Sequence, residues 1–108
     1  PEIPGNLKHA WYKFNCFIRS EALAEGWSRD RIVSEINARG VPAFHGSCSE
    51  VYLEKCFQEA GLFPVKRLPN AKELGETSIN FLVDPTINYS NMNFYTQIIV
   101  DILKQASR

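Results

Sequence analysis

The stretch Gly40-Val-Pro-Ala-Phe-His-Gly-Ser-Cys-Ser-Glu50 lies between two segments whose apolar residues recur at helical spacing. Gly40 is placed to end the first helix with a positive φ, and Pro42 prevents that helix from resuming. Residues 41–45 then predict a short strand. A chain that leaves a helix, forms a strand and enters another helix within so short a stretch is typical of a small mixed fold.

The second half of this stretch concentrates polar side chains around a glycine. Ser47 or Ser49 is placed to cap the helix that follows, and Glu50 stands where the acidic residue of a capping box belongs. The same density of hydroxyl, thiol and imidazole groups, with His45 among them, is typical of a loop that contacts a ligand or a partner. The capping and binding roles are compatible, and the residues alone do not name a reaction.

Two further segments predict strands. Residues 9–18 are rich in aromatic and β-branched side chains, and residues 80–84 form a short apolar run that Pro85 closes. Alternation along the first of these strands predicts that one apolar set of side chains faces the core. That set consists of Ala10, Tyr12, Phe14, Cys16 and Ile18.

Helices are predicted in four places. The first helix begins after the cap Ser28, and the second ends at Gly61. The third begins at the cap Asn70 and contains Gly75, which costs up to about 1 kcal/mol relative to alanine in a helix. The fourth opens at residues 90–91 and has the most regular apolar stripe of the chain. The stripe consists of Tyr95, Ile98, Ile99, Ile102 and Leu103.

The order strand, helix, strand, helix, helix, strand, helix predicts an α/β (α+β) fold, a small sheet of three to four strands packed with about four helices. Residues 1–8 are interpreted as a linker, because prolines and a glycine oppose regular structure there. Residues 9–108 are interpreted as the domain. A chain of 108 residues fits one domain with its own core.

Composition argues against several classes of function. Lys plus Arg and Asp plus Glu balance at 12 each without a basic block, which argues against binding nucleic acid through its phosphates. No apolar run approaches the roughly 20 residues of a membrane span, and the first residues lack the regions of a signal peptide. Three cysteines and two histidines at these spacings predict reduced thiols in a cytoplasmic protein, and no metal site.

Four stretches, in order along the chain, match motifs of one family. His9-Ala-Trp-Tyr-Lys-Phe14 is similar to HAYYKF, and Arg29-Asp-Arg-Ile-Val-Ser-Glu-Ile-Asn-Ala-Arg-Gly-Val-Pro42 is similar to a passage from a helix into GIP. Leu68-Pro-Asn-Ala-Lys-Glu-Leu-Gly-Glu-Thr-Ser78 is similar to LPNAxELxExS, and Phe81-Leu-Val-Asp-Pro-Thr86 is similar to LPVHPT. Together they resemble the sugar aminotransferases called the DegT/DnrJ/EryC1/StrS family.

The resemblance implies a function for the protein of which this chain would be one domain. Members of the family are fold type I enzymes that depend on pyridoxal 5'-phosphate and are usually dimers. They move an amino group, commonly from glutamate, onto a keto-sugar attached to a nucleotide. The matching part is their small C-terminal domain, so the resemblance implies a separate N-terminal domain that holds the cofactor lysine. This chain would then contribute one wall of the active site.

The family segment after GIP lines the substrate side of the active site, and it corresponds here to Phe44-His-Gly-Ser-Cys-Ser49. The resemblance therefore implies that His45, Ser47 and Ser49 bind substrate. The imidazole of His45 would either donate a hydrogen bond to a sugar or phosphate, or stand at the surface where a strand ends. Tyr12, in the stretch similar to HAYYKF, either faces the domain junction and the substrate or packs in the core.

None of the six lysines lies in a serine-rich loop like the family's cofactor-binding motif. No catalytic Schiff-base lysine is therefore predicted in this chain, and the chain alone is expected neither to bind the cofactor nor to be active. One alternative stays open. The chain would then be a free-standing, non-enzymatic α/β module that binds a ligand or a protein through residues 43–50.

Overall fold

The computed structural model describes residues 3–8 and 10–108 of the chain. Within these residues the chain forms strands and α-helices in the predicted order. They are β1 (Lys13–Phe17), α1 (Arg29–Ala38), β2 (Ala43–His45), α2 (Lys55–Glu59), α3 (Pro69–Thr77), β3 (Ser78–Leu82) and α4 (Tyr89–Ala106). Two 3-10 turns, Ser20–Ala22 and Val51–Leu53, stand before α1 and α2. The predicted α+β class is confirmed.

The three strands form one antiparallel sheet in the order β1-β3-β2. The central strand β3 pairs Phe81 with Phe14 of β1 and with Ala43 of β2. Because side chains alternate along a strand, Ile79 and Phe81 face one side of the sheet and Asn80 faces the other. The side that carries Ile79 and Phe81 is the one that packs against helices.

The core lies between that side of the sheet and the helices α1 and α4. Four isoleucines from these elements are completely buried: Ile32, Ile36, Ile79 and Ile102. The apolar stripe predicted for the last helix is confirmed, since Ile98 and Ile102 are buried and Tyr95, Ile99 and Leu103 pack against the core, which Ala106 also joins. Burial of each large aliphatic side chain contributes roughly 1.5–3 kcal/mol, so this stripe is what holds α4 in place.

The first helix and its connection to β2 follow local rules. Ser28 Oγ accepts a hydrogen bond from Arg31 N at 3.1 Å, which confirms the predicted cap. Gly40 ends the segment with φ +82°, as predicted. The side chain of Asn37 then bonds the backbone of Ala43 twice, with Nδ2 to the carbonyl oxygen at 2.7 Å and Oδ1 to the N–H at 3.2 Å. These two bonds align β2 with α1.

The predicted caps of the second and third helices are wrong. Neither Ser47 nor Ser49 caps the 3-10 turn that follows them, and that turn has no side-chain cap. The capping box cannot close because the carboxylate of Glu50 is bound elsewhere, as described below. The third helix begins at Pro69 rather than after a cap at Asn70, since proline in the first turn needs no hydrogen-bond partner for its nitrogen.

The last helix begins slightly earlier than predicted. Its cap is Asn88, whose Oδ1 accepts a hydrogen bond from Asn91 N at 2.9 Å. Ser90 and Asn91, the predicted starting residues, therefore lie inside the first turn. Asn88, Ser90 and Asn91 all have side chains suited to an N-cap, and the first of them takes that role.

The first strand is shorter than predicted, and its core side is partly open. It begins at Lys13; His9, predicted as its first residue, and residues 1–2 of the predicted linker lie outside the described residues. Tyr12 precedes the strand and is 81% exposed, so its predicted place on the core face is wrong. Phe14 does lie on the side of the sheet that carries the core, yet it is half-exposed because α4 packs mainly on α1.

Within residues 3–8 and 10–108, the helices are too short or too polar for any of them to cross a membrane.

Candidate functional site

The candidate site is built around residues 46–50, named here the polar loop, which follow β2 and cross the end of the sheet where β3 begins. Gly46 N donates a hydrogen bond to Ser78 O at 3.3 Å, which brings the loop backbone against the start of β3. A Cβ atom added at Gly46 would lie 1.8 Å from Ser78 Oγ and 2.6 Å from Ser78 Cβ. The loop can pass this close only because residue 46 has no side chain.

His45 ends β2 on the side of the sheet that faces α1. Its Nε2 lies 3.5 Å from Asp30 Oδ1, and its side chain is 58% exposed. Its carbonyl oxygen accepts a hydrogen bond from Asn80 Nδ2 at 3.2 Å. The imidazole therefore lies beside a carboxylate that Arg29 Nε already bonds at 2.6 Å, and it remains open to solvent, where a ligand could reach it.

The two serines of the polar loop have different surroundings. Ser47 is exposed, whereas Ser49 is half-buried against α3. A Cβ atom added at Gly75 would lie 2.4 Å from Ser49 Oγ, so the glycine in α3 is where the helix makes room for this hydroxyl. Gly75, which the sequence analysis identified as unfavourable for the helix, thus allows a close contact between α3 and the polar loop.

Cys48 lies between these serines and is exposed. Its Sγ lies 3.5 Å from Glu54 Oε1, and this hydrogen bond raises the pKa of the thiol. A raised pKa lowers the thiolate fraction, which argues against a nucleophilic role for Cys48. Among the residues that the structure describes, no three histidine, cysteine or acidic side chains are grouped as a metal site would need.

Glu50 closes the polar loop with a buried carboxylate that is only 9% exposed. Arg67 binds both of its oxygens: Nε lies 2.8 Å from Oε1, and Nη2 contacts Oε2. Tyr52 donates its hydroxyl proton to Oε1 at 2.6 Å, and the same hydroxyl oxygen accepts from Leu68 N at 3.0 Å. The guanidinium of Arg67, followed by the hydroxyl of Tyr52, lowers the pKa of Glu50 to about 2.

The lowered pKa of Glu50 predicts a specific dependence of stability on pH. A carboxylate whose pKa falls on folding stabilises the fold above its ordinary value, here 4.5, and this stabilisation is lost as pH falls towards about 2. We expect the melting temperature of Glu50→Gln to vary less with pH than that of the parent between pH 5 and pH 2. Thermal denaturation across this range, followed by circular dichroism, measures the difference.

A matched control is Glu59→Gln, which removes an exposed carboxylate 3.6 Å from Lys55. Exposed pairs of this kind contribute little to stability, so this variant should follow the pH profile of the parent. Parallel profiles for Glu50→Gln and the parent would contradict the prediction.

Tyr12 does not come near the polar loop. The next residue, Lys13, pairs with Leu82, whereas His45 pairs with Ile79. Three residues of β3, about 10 Å, separate these two positions, which also lie on opposite edges of the sheet. His45, Ser47 and Ser49 are therefore neighbours along one loop, while a substrate contact by Tyr12 stays a separate prediction for another surface.

The lysines offer a test of whether this chain fits pyridoxal 5'-phosphate. A Schiff-base lysine needs a desolvated pocket and a nearby acid for the pyridine nitrogen. Lys13 is half-buried at the sheet edge with its Nζ 5.6 Å from the centre of the Tyr12 ring, and every other lysine is exposed. The residues present therefore do not fit the cofactor, and no chemical step is assigned to it in this chain.

Solved structures of known proteins are similar to this fold, whereas comparison with family models and curated sequences finds no match. The structure of an aminotransferase from Psychrobacter cryohalolentis matches 92% of the chain with 49% identity and a TM-score of 0.85. A DegT DnrJ EryC1 StrS aminotransferase from Brucella abortus matches 94% of the chain with a TM-score of 0.65, and at 17% identity this match concerns the fold alone.

The chain spans 25% of the length of each of these two proteins. That share is consistent with a chain that corresponds to one part of a longer protein. The resemblance to aminotransferases is thus confirmed: the chain has the fold of a quarter-length part of such enzymes and shares 49% of its aligned sequence with one of them.

Proposed function

We propose that this chain is the small C-terminal domain of a pyridoxal-phosphate-dependent aminotransferase that transfers an amino group, from glutamate, to a keto-sugar nucleotide. The polar loop and His45 would form one wall of the active site. The observation that carries the proposal is the 49% identity with an aminotransferase over 92% of the chain. The cofactor would be held by polypeptide outside these residues, because the lysines here lack the surroundings that it needs.

The surface of the chain supports a role as part of a larger protein. Its accessible area is 8275 Å², whereas a compact monomer of 12.3 kDa exposes about 6,100 Å². Its radius of gyration is 16.7 Å, compared with about 13 Å for a compact domain of this length. The excess is about 2,000 Å² on this chain alone, and permanent interfaces bury roughly 2,000–5,000 Å² counted over both partners.

The apolar part of that surface is continuous with the core. A groove of about 680 Å³ runs between the open side of β1, α1 and α4, and Phe14, Cys16 and Tyr95 are among its lining residues. Apolar surface of this extent favours an interface over a free-standing module. The proposed partners are the N-terminal domain of the same polypeptide and, in the complete enzyme, a second copy of it.

The chemistry of the proposed wall suits a sugar. Hydroxyl groups of Ser47 and Ser49 both donate and accept hydrogen bonds, as sugar hydroxyls do, and the exposed imidazole of His45 lies 3.5 Å from Asp30. A site built this way discriminates through its own polar groups, which are left unpaired when a substrate lacks the matching hydroxyl. A cytoplasmic location is part of the proposal and is supported by three cysteines that are all free.

Alanine substitutions in the full-length protein test this proposal. We expect Ser47→Ala, Ser49→Ala and His45→Ala each to raise KM for the keto-sugar nucleotide roughly three- to tenfold, because each removes one hydrogen bond to substrate. The kcat should change less, because the lost contacts bind ground state and transition state alike. Steady-state kinetics with glutamate as amino donor give both constants.

The control for this experiment is Ser34→Ala, which truncates an exposed serine of α1 that is not part of the polar loop. Its constants should equal those of the parent. Absence of amino transfer by the full-length protein would overturn the proposed reaction. An unchanged KM in all three loop variants would overturn the proposed wall.

A further inference from the structure

The polar loop contacts β3 at its first end and α3 at its second end, and between them the Cys48 thiol bonds Glu54 of the segment that follows. At the first end Gly46 packs on Ser78, and at the second end Ser49 packs on Gly75. Between these contacts Ser47 and Cys48 are exposed. The turn that follows has no side-chain cap, so the position of the loop relative to α3 depends on contacts made at its second end.

Glu50 supplies that attachment. Its side chain is 10% exposed and receives two hydrogen bonds from Arg67, which lies 17 residues later, just before α3. Tyr52 bridges the same carboxylate to the backbone N–H of Leu68, which directly precedes α3. The residue next to Ser49 in sequence is thus bonded to the segment that carries Gly75, the helix residue against which Ser49 packs.

We infer that Glu50 is a positioning residue that holds the polar loop in its substrate-binding shape through Arg67 and Tyr52. The inference rests on the proposed function, since it assigns to the loop the wall of the sugar site. Glu50 itself does not face the substrate, because all the bonding of its carboxylate is directed towards Arg67 and Tyr52. Its effect on the reaction passes through the shape of residues 47–49.

The test uses the full-length enzyme with the same keto-sugar nucleotide. In Glu50→Gln the charge is lost while the size is kept. If the loop then occupies its binding shape about a tenth of the time, KM for the keto-sugar nucleotide rises roughly tenfold. The kcat should stay within about twofold and KM for glutamate should not change. General loss of folding would instead lower the fraction of active enzyme. It would therefore lower the apparent kcat with both substrates without raising KM for the keto-sugar nucleotide alone.

Two further variants distinguish an altered loop from loss of the charge on Glu50. Gly75→Ala introduces a Cβ atom 2.4 Å from Ser49 Oγ and 3.7 Å from Ser49 Cβ, so the hydroxyl has to rotate away while Glu50 stays intact, and KM for the keto-sugar nucleotide should also rise. Arg67→Lys keeps the charge but not the paired hydrogen bonds, and should lie between the parent and Glu50→Gln. The matched control Glu59→Gln alters an exposed carboxylate that pairs with Lys55 within α2, and it should match the parent.

The outcomes distinguish this inference from the proposed function. Suppose that Ser47→Ala and His45→Ala raise KM for the keto-sugar nucleotide while Glu50→Gln leaves it unchanged. The inference about Glu50 is then wrong, and the proposed substrate-binding role of the polar loop is supported. If the loop variants leave this KM unchanged, the proposed substrate-binding role of the polar loop is wrong, and so is the inference about Glu50. Should Glu50→Gln fail to fold, Tyr52→Phe is the deciding variant, because it removes the hydroxyl that bridges the carboxylate of Glu50 to Leu68 N. About a threefold rise in KM for the keto-sugar nucleotide supports the inference, whereas no rise overturns it.

Discussion

Substitution of Gly46 by alanine is expected to lower the free energy of unfolding by about 2–3 kcal/mol. The added Cβ atom would lie 1.8 Å from Ser78 Oγ and 2.6 Å from Ser78 Cβ, well inside van der Waals contact. Ser78 has no room to retreat, because it is 7% exposed and its carbonyl oxygen is bound by Arg29 Nη1 at 2.7 Å. A serine rotamer change relieves the contact with Oγ but not the contact with Cβ.

Urea denaturation measures the change in the free energy of unfolding. In thermal denaturation, the melting temperature should fall by roughly 10–20 °C. Gly5→Ala is the matched control, since its added Cβ atom meets no atom within 4 Å and its φ is not positive. A double variant with Ser78→Gly removes the clashing Cβ and should recover part of the loss. Equal stability of Gly46→Ala and Gly5→Ala would show that the loop does not approach β3 as closely as described.

The parts of the fold that the sequence predicted are those governed by neighbours along the chain. Ser28 caps α1 and Gly40 ends that segment because both act on backbone groups within a few residues. The stripe around Ile98 and Ile102 was predictable because helical periodicity alone brings such residues to one face. In each case the required partner lies in the same helix or next to it.

The bonding of Glu50 could not be predicted in this way. Ser47 and Glu50 have the spacing of a capping box, yet the carboxylate binds Arg67, 17 residues away. A bidentate guanidinium bond competes well with a capping bond, because both partners are charged and their planar groups match. No sequence signal connects these two residues, so the end of the polar loop depends on a contact that only the folded chain shows.

The same limit applies to the candidate site as a whole. His45, Ser47 and Ser49 were predicted together because they lie on one short loop, and the structure keeps them together. Tyr12 was predicted through its strand, and the strand order β1-β3-β2 places that strand on the far edge of the sheet from β2. Strand order follows from long-range pairing, which the alternation of side chains does not determine.

Truncation of Ile102 to alanine is expected to lower the free energy of unfolding by about 3–4 kcal/mol. Ile102 is completely buried in α4, within the core that also contains Ile36 of α1 and Ile79 of β3. The substitution removes apolar contacts and leaves a cavity that the surrounding elements fill only in part. Val100→Ala, in the same helix at a 38% exposed position, should cost much less. Equilibrium urea denaturation of the two variants gives both values.

This prediction also separates the core from the candidate site. Ile102 stabilises the packing of α4 on α1, whereas the polar loop is held by Ser78, Gly75 and Arg67. In the full-length protein at a temperature where it stays folded, Ile102→Ala should therefore leave KM for the keto-sugar nucleotide unchanged while lowering the melting temperature. A rise in KM comparable to that of Glu50→Gln would mean that the shape of the loop depends on the helical layer, and that Glu50 is not the residue that fixes it.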